Sequence, residues 1–320
     1  MQQIRHGSGL SVMMCLGILF SLILATGAFY PEQERIAIPI LGERDGWAVH
    51  RGAKEMRGRE IHISRQEMMQ GTLLLIGKDH PLPDDYPPPN TRTLRAMVGM
   101  YLPVWEDTAL LPEAVYSLCD MKQDYSLDSG ITFTRGALSA AQLEDWQRQA
   151  FQRFSRVYPL QDALHLALLA VPGGMESEHR TGYALDLELH PPLSLGKADP
   201  LLRNDVGRWL SENMWRYGWI YRYGPDHEGG GDCEGIHIRY AGKGHAAAMH
   251  ALQMGLEEYW ALLRQEGELT LYQNGIERAR IYCTPCQDDW EILLPDEYEY
   301  AASLDNTGWA AVIMYPKGTI

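Results

Sequence analysis

Ser177-Glu-His179-Arg-Thr-Gly182-Tyr-Ala184-Leu-Asp186-Leu-Glu188-Leu189 is the stretch on which the reading of this chain turns. From Gly182 it alternates with the period of a strand. Tyr183, Leu185, Leu187 and Leu189 fall on one face, and Gly182, Ala184, Asp186 and Glu188 on the other. Small residues at 182 and 184 leave room against the Asp186 carboxylate, where a plain amphipathic strand would carry larger polar groups. His179 stands just before the strand, where a loop can fold its imidazole over the same face. Taken alone, the pair also fits a surface acidic strand with a loop histidine.

A second segment, Glu234-Gly235-Ile236-His237-Ile238-Arg239-Tyr240, changes that balance. His237 shares a strand face with Arg239, opposite Ile236 and Ile238, and Gly235 permits a bend that brings Glu234 to the side of His237. Two histidines and an aspartate make three protein ligands and leave a fourth position for water, the pattern of a catalytic zinc site. Glu234, near the metal without ligating it, would be the general base. The competing reading is a calcium or adventitious site, which histidine ligands disfavour.

Together, Ser177-x-His179-x-x-Gly182-x-Ala184-x-Asp186 and Glu234-x-x-His237 resemble the paired signature of the VanY-type D-alanyl-D-alanine carboxypeptidases. These zinc peptidases share a fold with lysostaphin-type endopeptidases and the hedgehog zinc domain. The Lys78-Asp-His-Pro-Leu-Pro83 loop, Tyr217–Tyr223 and His237–Gly242 resemble further family segments in the same order, so the resemblance covers roughly residues 71 to 252. It implies that His179, Asp186 and His237 hold zinc, that Glu234 is the catalytic base and that Ser177 contacts substrate. It also implies a peptidoglycan stem peptide as substrate, losing a C-terminal D-alanine. Two departures stand out. Gly235-Ile236 replaces the family's Pro-Trp, and the family's Ser-Gly-Tyr-Arg-Ser stretch survives only as Ser129-Gly130-Ile-Thr-Phe-Thr-Arg135. Arg135 is thus either the displaced substrate-binding arginine or a surface charge. An endopeptidase or dipeptidase with the same metal, and a zinc-bearing wall-binding module without turnover, are the alternatives. Glu234 favours an enzyme.

The rest of the chain fits around this centre. With 28 Lys+Arg against 42 Asp+Glu among 320 residues, the net charge of −14 gives no basic stripe for a nucleic acid. No protein partner is expected. After Arg5 no charged residue appears until Glu32, and Leu10 to Tyr30 is largely apolar, the length that crosses a bilayer. The expectation is a transmembrane anchor, or a signal peptide cleaved after the small residues Thr26-Gly27-Ala28, with an extracytoplasmic domain in either case. Cys283-Thr-Pro-Cys286 has too few ligands for structural zinc and is expected as a local disulfide.

The fold class expected is α+β: a small antiparallel sheet carrying the zinc site, packed by helices. Residues 1–9 are read as a cytoplasmic tail, 10–30 as the span, 31–70 as a juxtamembrane linker with short structured pieces. Residues 71–264 are read as the zinc domain and 265–320 as a β-rich appendage. Thr72–Ile76 reads as a short buried strand and Lys78–Pro89 as a proline-fixed loop. Ser139-Ala-Ala-Gln142 has capping-box form and opens a helix to about Val157, followed by one over Leu160–Ala170. Asp199-Pro200 predicts a helix start that Gly218 ends, strands follow at 219–223 and 236–240, and one long helix covers about 244–263. His190, His245 and His250 read as structural, and Asp226–Asp232 as a flexible polar loop.

Overall fold

The computed structural model describes residues 39–52, 57–95, 108–127, 130–190, 204–222 and 236–319. The apolar run 10–30, Cys15, Ser129, Asp199-Pro200, the 226–232 loop, Cys233, Glu234 and Gly235 lie outside these residues. No helix among the described residues is long and apolar enough to cross a membrane.

In chain order the elements are β1 (Ile40–Arg44), β2 (Trp47–Arg51), β3 (Arg59–Ile63), α1 (Arg65–Met69), β4 (Arg92–Thr93), β5 (Ala109–Leu110), α2 (Pro112–Asp124) and β6 (Ile131–Arg135). Then come α3 (Ala140–Phe154), α4 (Leu160–Ala170), a 3₁₀ turn (Glu178–Thr181), β7 (Ala184–Leu189), α5 (Asp205–Asn213), a second 3₁₀ turn (Met214–Tyr217), β8 (Trp219–Tyr221) and β9 (Ile236–Tyr240). The chain finishes with α6 (Lys243–Leu252), α7 (Leu256–Glu266), β10 (Glu268–Gln273), β11 (Ile276–Pro285), β12 (Trp290–Leu294), β13 (Tyr298–Leu304) and β14 (Trp309–Pro316). This is a mixed α/β fold with antiparallel sheets.

The sheet that matters for function has the order β6-β7-β9-β8, antiparallel throughout. The alternation read from the sequence places Leu185, Leu187 and Leu189 of β7 on its core face, with Phe133, Ile236 and Ile238 from the neighbouring strands. There they pack against Val115, Leu118 and Met121 of α2 and Val206 and Leu210 of α5. Burying such a side chain contributes roughly 1.5–3 kcal/mol each, so this face holds the sheet while the other is left for chemistry. Two glycines shape the approach to it. Gly182 (φ 79°) turns the 3₁₀ segment into β7, and a Cβ there would press on Leu111, Pro89 and Thr91 at 3.1–3.3 Å. Gly218 (φ 91°) passes so close to the β9–α6 corner that a Cβ would lie 2.7 Å from the Tyr240 ring.

A six-stranded antiparallel sheet, order β1-β2-β10-β11-β14-β13, forms the second layer and packs on α6 and α7 through Leu269, Leu271, Ile281, Ala247 and Trp260. It corrects the expected linker. From Ile40 the supposed linker supplies β1, β2 and β3. β2 pairs with β10 from Leu269↔Arg51 to Gln273↔Trp47, and β3 pairs with β12. The C-terminal strands are therefore completed by residues from the other end of the chain rather than standing as an appendage.

Four further expectations change. Leu73–Ile76 is buried but forms no strand. Its backbone is satisfied by side chains: Ser303 Oγ accepts from Leu73 N–H, and Trp260 Nε1 donates to the Leu73 carbonyl at 2.7 Å. The helix ending at Gly218 has Asn204 as N-cap, its side chain accepting from Gly207 N–H at 2.8 Å. The long helix 244–263 is two, because Gln253 adopts a left-handed conformation (φ 55°) and Gly255 caps the second. Cys283 and Cys286 are free thiols. Cys283 faces the core under α7 and Cys286 the cluster around Trp290, so the two do not meet. The capping box at Ser139 and Gln142, by contrast, is present as read.

Candidate metal centre

Three adjacent strands bring the site together. Across the sheet Arg135 on β6 lies opposite Asp186 on β7, which lies opposite His237 on β9. A register irregularity between Phe133 and Arg135 in β6 shifts the arginine into line with the aspartate. His179 arrives from the 3₁₀ turn ahead of β7. Its Nδ1 donates to the Gly136 carbonyl at 2.7 Å, a bond that fixes the ring with Nε2 turned toward Asp186. That Nε2 lies 3.3 Å from Asp186 Oδ2, and His237 Nδ1 lies 2.7 Å from Asp186 Oδ1.

One ligand atom from each of His179, Asp186 and His237 lies within 4.8 Å of the others. Nitrogen and oxygen ligands of one tetrahedral zinc, at ~2.0–2.2 Å from the ion, stand at comparable separations. Two imidazoles and one carboxylate suit zinc and disfavour calcium or magnesium. The residues present fit the group.

Behind the triad stands a carboxylate that the sequence reading passed over. Glu178 Oε2 lies 3.1 Å from His237 Nε2, while its Oε1 accepts from Arg222 Nε at 2.8 Å and from Arg239 at 2.7 Å. Arg239 is fully buried and also donates to the Thr72 carbonyl at 2.9 Å. Arg222 turns its other edge to Glu257. Burial alone would raise the Glu178 pKa, but Arg222, then Arg239 and His237, hold it well below the usual carboxylate range. Asp186 follows the same pattern, with burial opposed and outweighed by His179 and His237. Burial would lower His237, yet its hydrogen bonds to Asp186 and Glu178 raise it to about 9. The imidazole is thus held between two ionised carboxylates, its ring orientation fixed from behind. Signals for this layer were present: Glu178 adjoins His179, and Arg239 shares a strand face with His237.

Arg135 is brought to the site rather than left on the surface. Its Nη1 is 3.7 Å from Asp186 Oδ2, and its guanidinium lies 3.3 Å from the centroid of the Trp146 ring on α3. Trp146 in turn meets His179 edge-on at 6.4 Å. Ser177 is buried immediately before the 3₁₀ turn, its carbonyl accepting from Arg180 N–H at 3.1 Å. Glu234 lies outside the described residues. His245 and His250 stand apart from the triad. The first is buried against the Tyr259 hydroxyl at 3.0 Å, and the second is stacked on Trp215 and bonded to Asp45.

With this geometry in view, residues 114–243 match the family model VanY: D-alanyl-D-alanine carboxypeptidase, and that span contains the triad, Glu178, Arg222 and Arg239. A protein of Enterococcus faecium named D-alanyl-D-alanine carboxypeptidase is 28% identical over 263 residues, 82% of this chain and 80% of that one. A second D-alanyl-D-alanine carboxypeptidase, from Enterococcus faecalis, is 40% identical over 93 residues, 28% of this chain and 31% of the relative. Among solved structures, the vancomycin resistance D,D-dipeptidase VanXYg in complex with a D-Ala-D-Ala phosphinate analog superposes with a TM-score of 0.65 at 20% identity. It covers 81% of this chain and all of its own, and shows the shared fold. Residues 114–243 thus resemble the VanY family of D-alanyl-D-alanine carboxypeptidases, and the chain as a whole is similar to a relative of that name.

Proposed function

We propose that the chain is a zinc-dependent D,D-carboxypeptidase that removes the terminal D-alanine from peptidoglycan stem peptides. The observation that carries this reading is the row Arg135, Asp186, His237 across three strands, closed by His179 into one ligand cluster. His179, Asp186 and His237 would hold the ion, which supplies a Lewis acid for the scissile carbonyl and for water. Glu178 keeps the His237 ring in place. Arg135 offers the planar fork that reads a free carboxylate bidentately, with Trp146 fixing the plane of the guanidinium. Ser177 would contact the substrate, as the family resemblance implies, and Glu234 would take the proton from water and return it to the leaving amine.

We further propose that Leu10–Tyr30 anchors this domain on the outer side of the membrane, with zinc peptidase chemistry confined to residues 71–264. The test is mass spectrometry of purified muropeptides after incubation with the zinc-loaded protein. Loss of one D-alanine from pentapeptide stems supports the reading. Release of the D-alanyl-D-alanine dipeptide, or cleavage within cross-links, replaces it with the dipeptidase or endopeptidase alternative. Metal analysis of His179→Ala and His237→Ala should show loss of stoichiometric zinc, and full occupancy in both would remove the site.

A further inference from the structure

On the far side of β9 from the metal triad, a cleft of about 690 Å³ opens where α2, the first turn of α6 and the β13–β14 face converge. Its size falls in the ~300–1,000 Å³ range of small-ligand sites. At one end is the N-terminus of α6. Gly242 (φ 84°) provides no side-chain cap, no acidic residue stands in the first turn, and the Lys243, Gly244 and His245 residues all line the cleft. Their N–H groups precede the first intrahelical bond, Ala246 N–H to the Gly242 carbonyl, so they offer three donors to an anion. The space before them is open, since a Cβ on Gly242 would meet only Thr72 Oγ1, at 3.8 Å.

A second observation points the same way. Tyr240 is 9% exposed, and its ring is clamped between Tyr183 and Trp219. Its hydroxyl has no hydrogen-bond partner among the described residues. Tyr240 lines the cleft together with Glu113, Asp120 and Tyr315. The rest of the side chain is buried, so the hydroxyl is held in place as a donor to a bound polar group. The cleft's other end is acidic, with Glu113 and Asp120 exposed along α2. Asp120 is engaged by Lys243 only at 3.5 Å in a solvent-exposed pair, which holds weakly and opens at little cost.

We propose that this cleft is a second ligand site, distinct from the metal centre, for a short peptide or amino acid carrying both a free carboxylate and a free ammonium group. The carboxylate sits on the first turn of α6, with Lys243 and the Tyr240 hydroxyl as further donors. The ammonium faces Glu113 and Asp120, and Tyr116 and Tyr315 flank the chain between them. The inference rests on this lining alone and stands whether or not the metal centre removes D-alanine.

The test is titration of the isotope-labelled, zinc-loaded protein with L-alanyl-L-alanine and D-alanyl-D-alanine, followed through the amide resonances of Lys243, Gly244 and His245. Saturable shifts at these amides are expected. Tyr240→Phe keeps the clamped ring and removes only the hydroxyl, and should weaken binding about fivefold, as loss of one hydrogen bond does. Lys243→Met should weaken it by at least as much. The C-terminally amidated dipeptide should bind more weakly than the free acid. No saturable shift with either dipeptide, shifts indifferent to both variants, or an amide that binds as well as the acid would each overturn the proposal. Turnover of stem peptides is a separate readout, so failure of the cleft and failure of the peptidase reading are told apart.

Discussion

Glu178→Gln is the perturbation that probes the site most sharply, because the structure supplies its own control. Glu178 is 4% exposed and is the carboxylate shared by Arg222, Arg239 and His237. Glutamine preserves the volume but removes the charge, leaving two buried guanidiniums with Glu257 as the remaining carboxylate partner of one of them. Breaking a buried pair by neutralising one member costs about 3–5 kcal/mol, since the other charge stays desolvated. Glu257 grips the same Arg222 from outside, with its side chain 58% exposed. Arg222 keeps Glu178 when Glu257 is neutralised, and the Glu257 carboxylate is itself largely in solvent, so Glu257→Gln should cost less, about 1–2 kcal/mol. Urea denaturation of both variants in chelator isolates the folding effect. Zinc titration then reads the second consequence, a roughly 10–100-fold loss of metal affinity in Glu178→Gln alone, as expected when a histidine ligand loses its outer partner. If the two variants are destabilised equally, or if Glu178→Gln binds zinc as the parent does, the charge network behind His237 has been misread.

Other outcomes follow from the same geometry. Glu234→Gln should keep zinc and lose turnover by about 10²–10⁴, measured as D-alanine release, and undiminished hydrolysis would remove Glu234 as the base. Arg135→Ala should lower kcat/KM for free-acid peptides by about 2–3 kcal/mol and leave amidated peptides nearly unaffected, with Arg135→Lys already impaired because ammonium cannot match the fork. Equal preference for acid and amide in the parent and in Arg135→Ala would place carboxylate recognition elsewhere. His245 is held neutral by burial, its pKa lowered to about 3 from 6.5. Above 6.5 neither the folded nor the unfolded form is protonated there. As pH falls from 6.5 towards 3 the unfolded chain takes up a proton that the folded one refuses, and stability drops by up to ~1.4 kcal/mol per pH unit. His245→Asn should therefore lose about 2 kcal/mol less than the parent between pH 7.5 and 5, and an unchanged difference in denaturation midpoints would refute this.

Local signals carried the sequence reading far. The period-two alternation after Gly182 determined which face of β7 is core, because side-chain direction in a strand follows from the backbone alone. The Ser139–Gln142 capping box determined where α3 begins for the same reason, since all its bonds lie within four residues. His179, Asp186 and His237 were legible because two short motifs in a fixed order resemble a known paired signature, while the first motif alone also fits an ordinary acidic surface strand. What the tertiary structure alone decided is everything that depends on distant partners. Residues 47–51 looked like linker because their place in the sheet depends on pairing with β10, more than two hundred residues away in the chain, and β1 joins the sheet only through them. Leu73–Ile76 looked like a strand because buried apolar runs resemble one another, and only the Ser303 and Trp260 side chains reveal why no ladder is needed. Glu178 and Arg239 read as ordinary charges next to histidines. Their burial, and with it the electrostatic frame of the site, exists only once the 3₁₀ turn, β8 and β9 have brought opposite charges within hydrogen-bonding distance out of water.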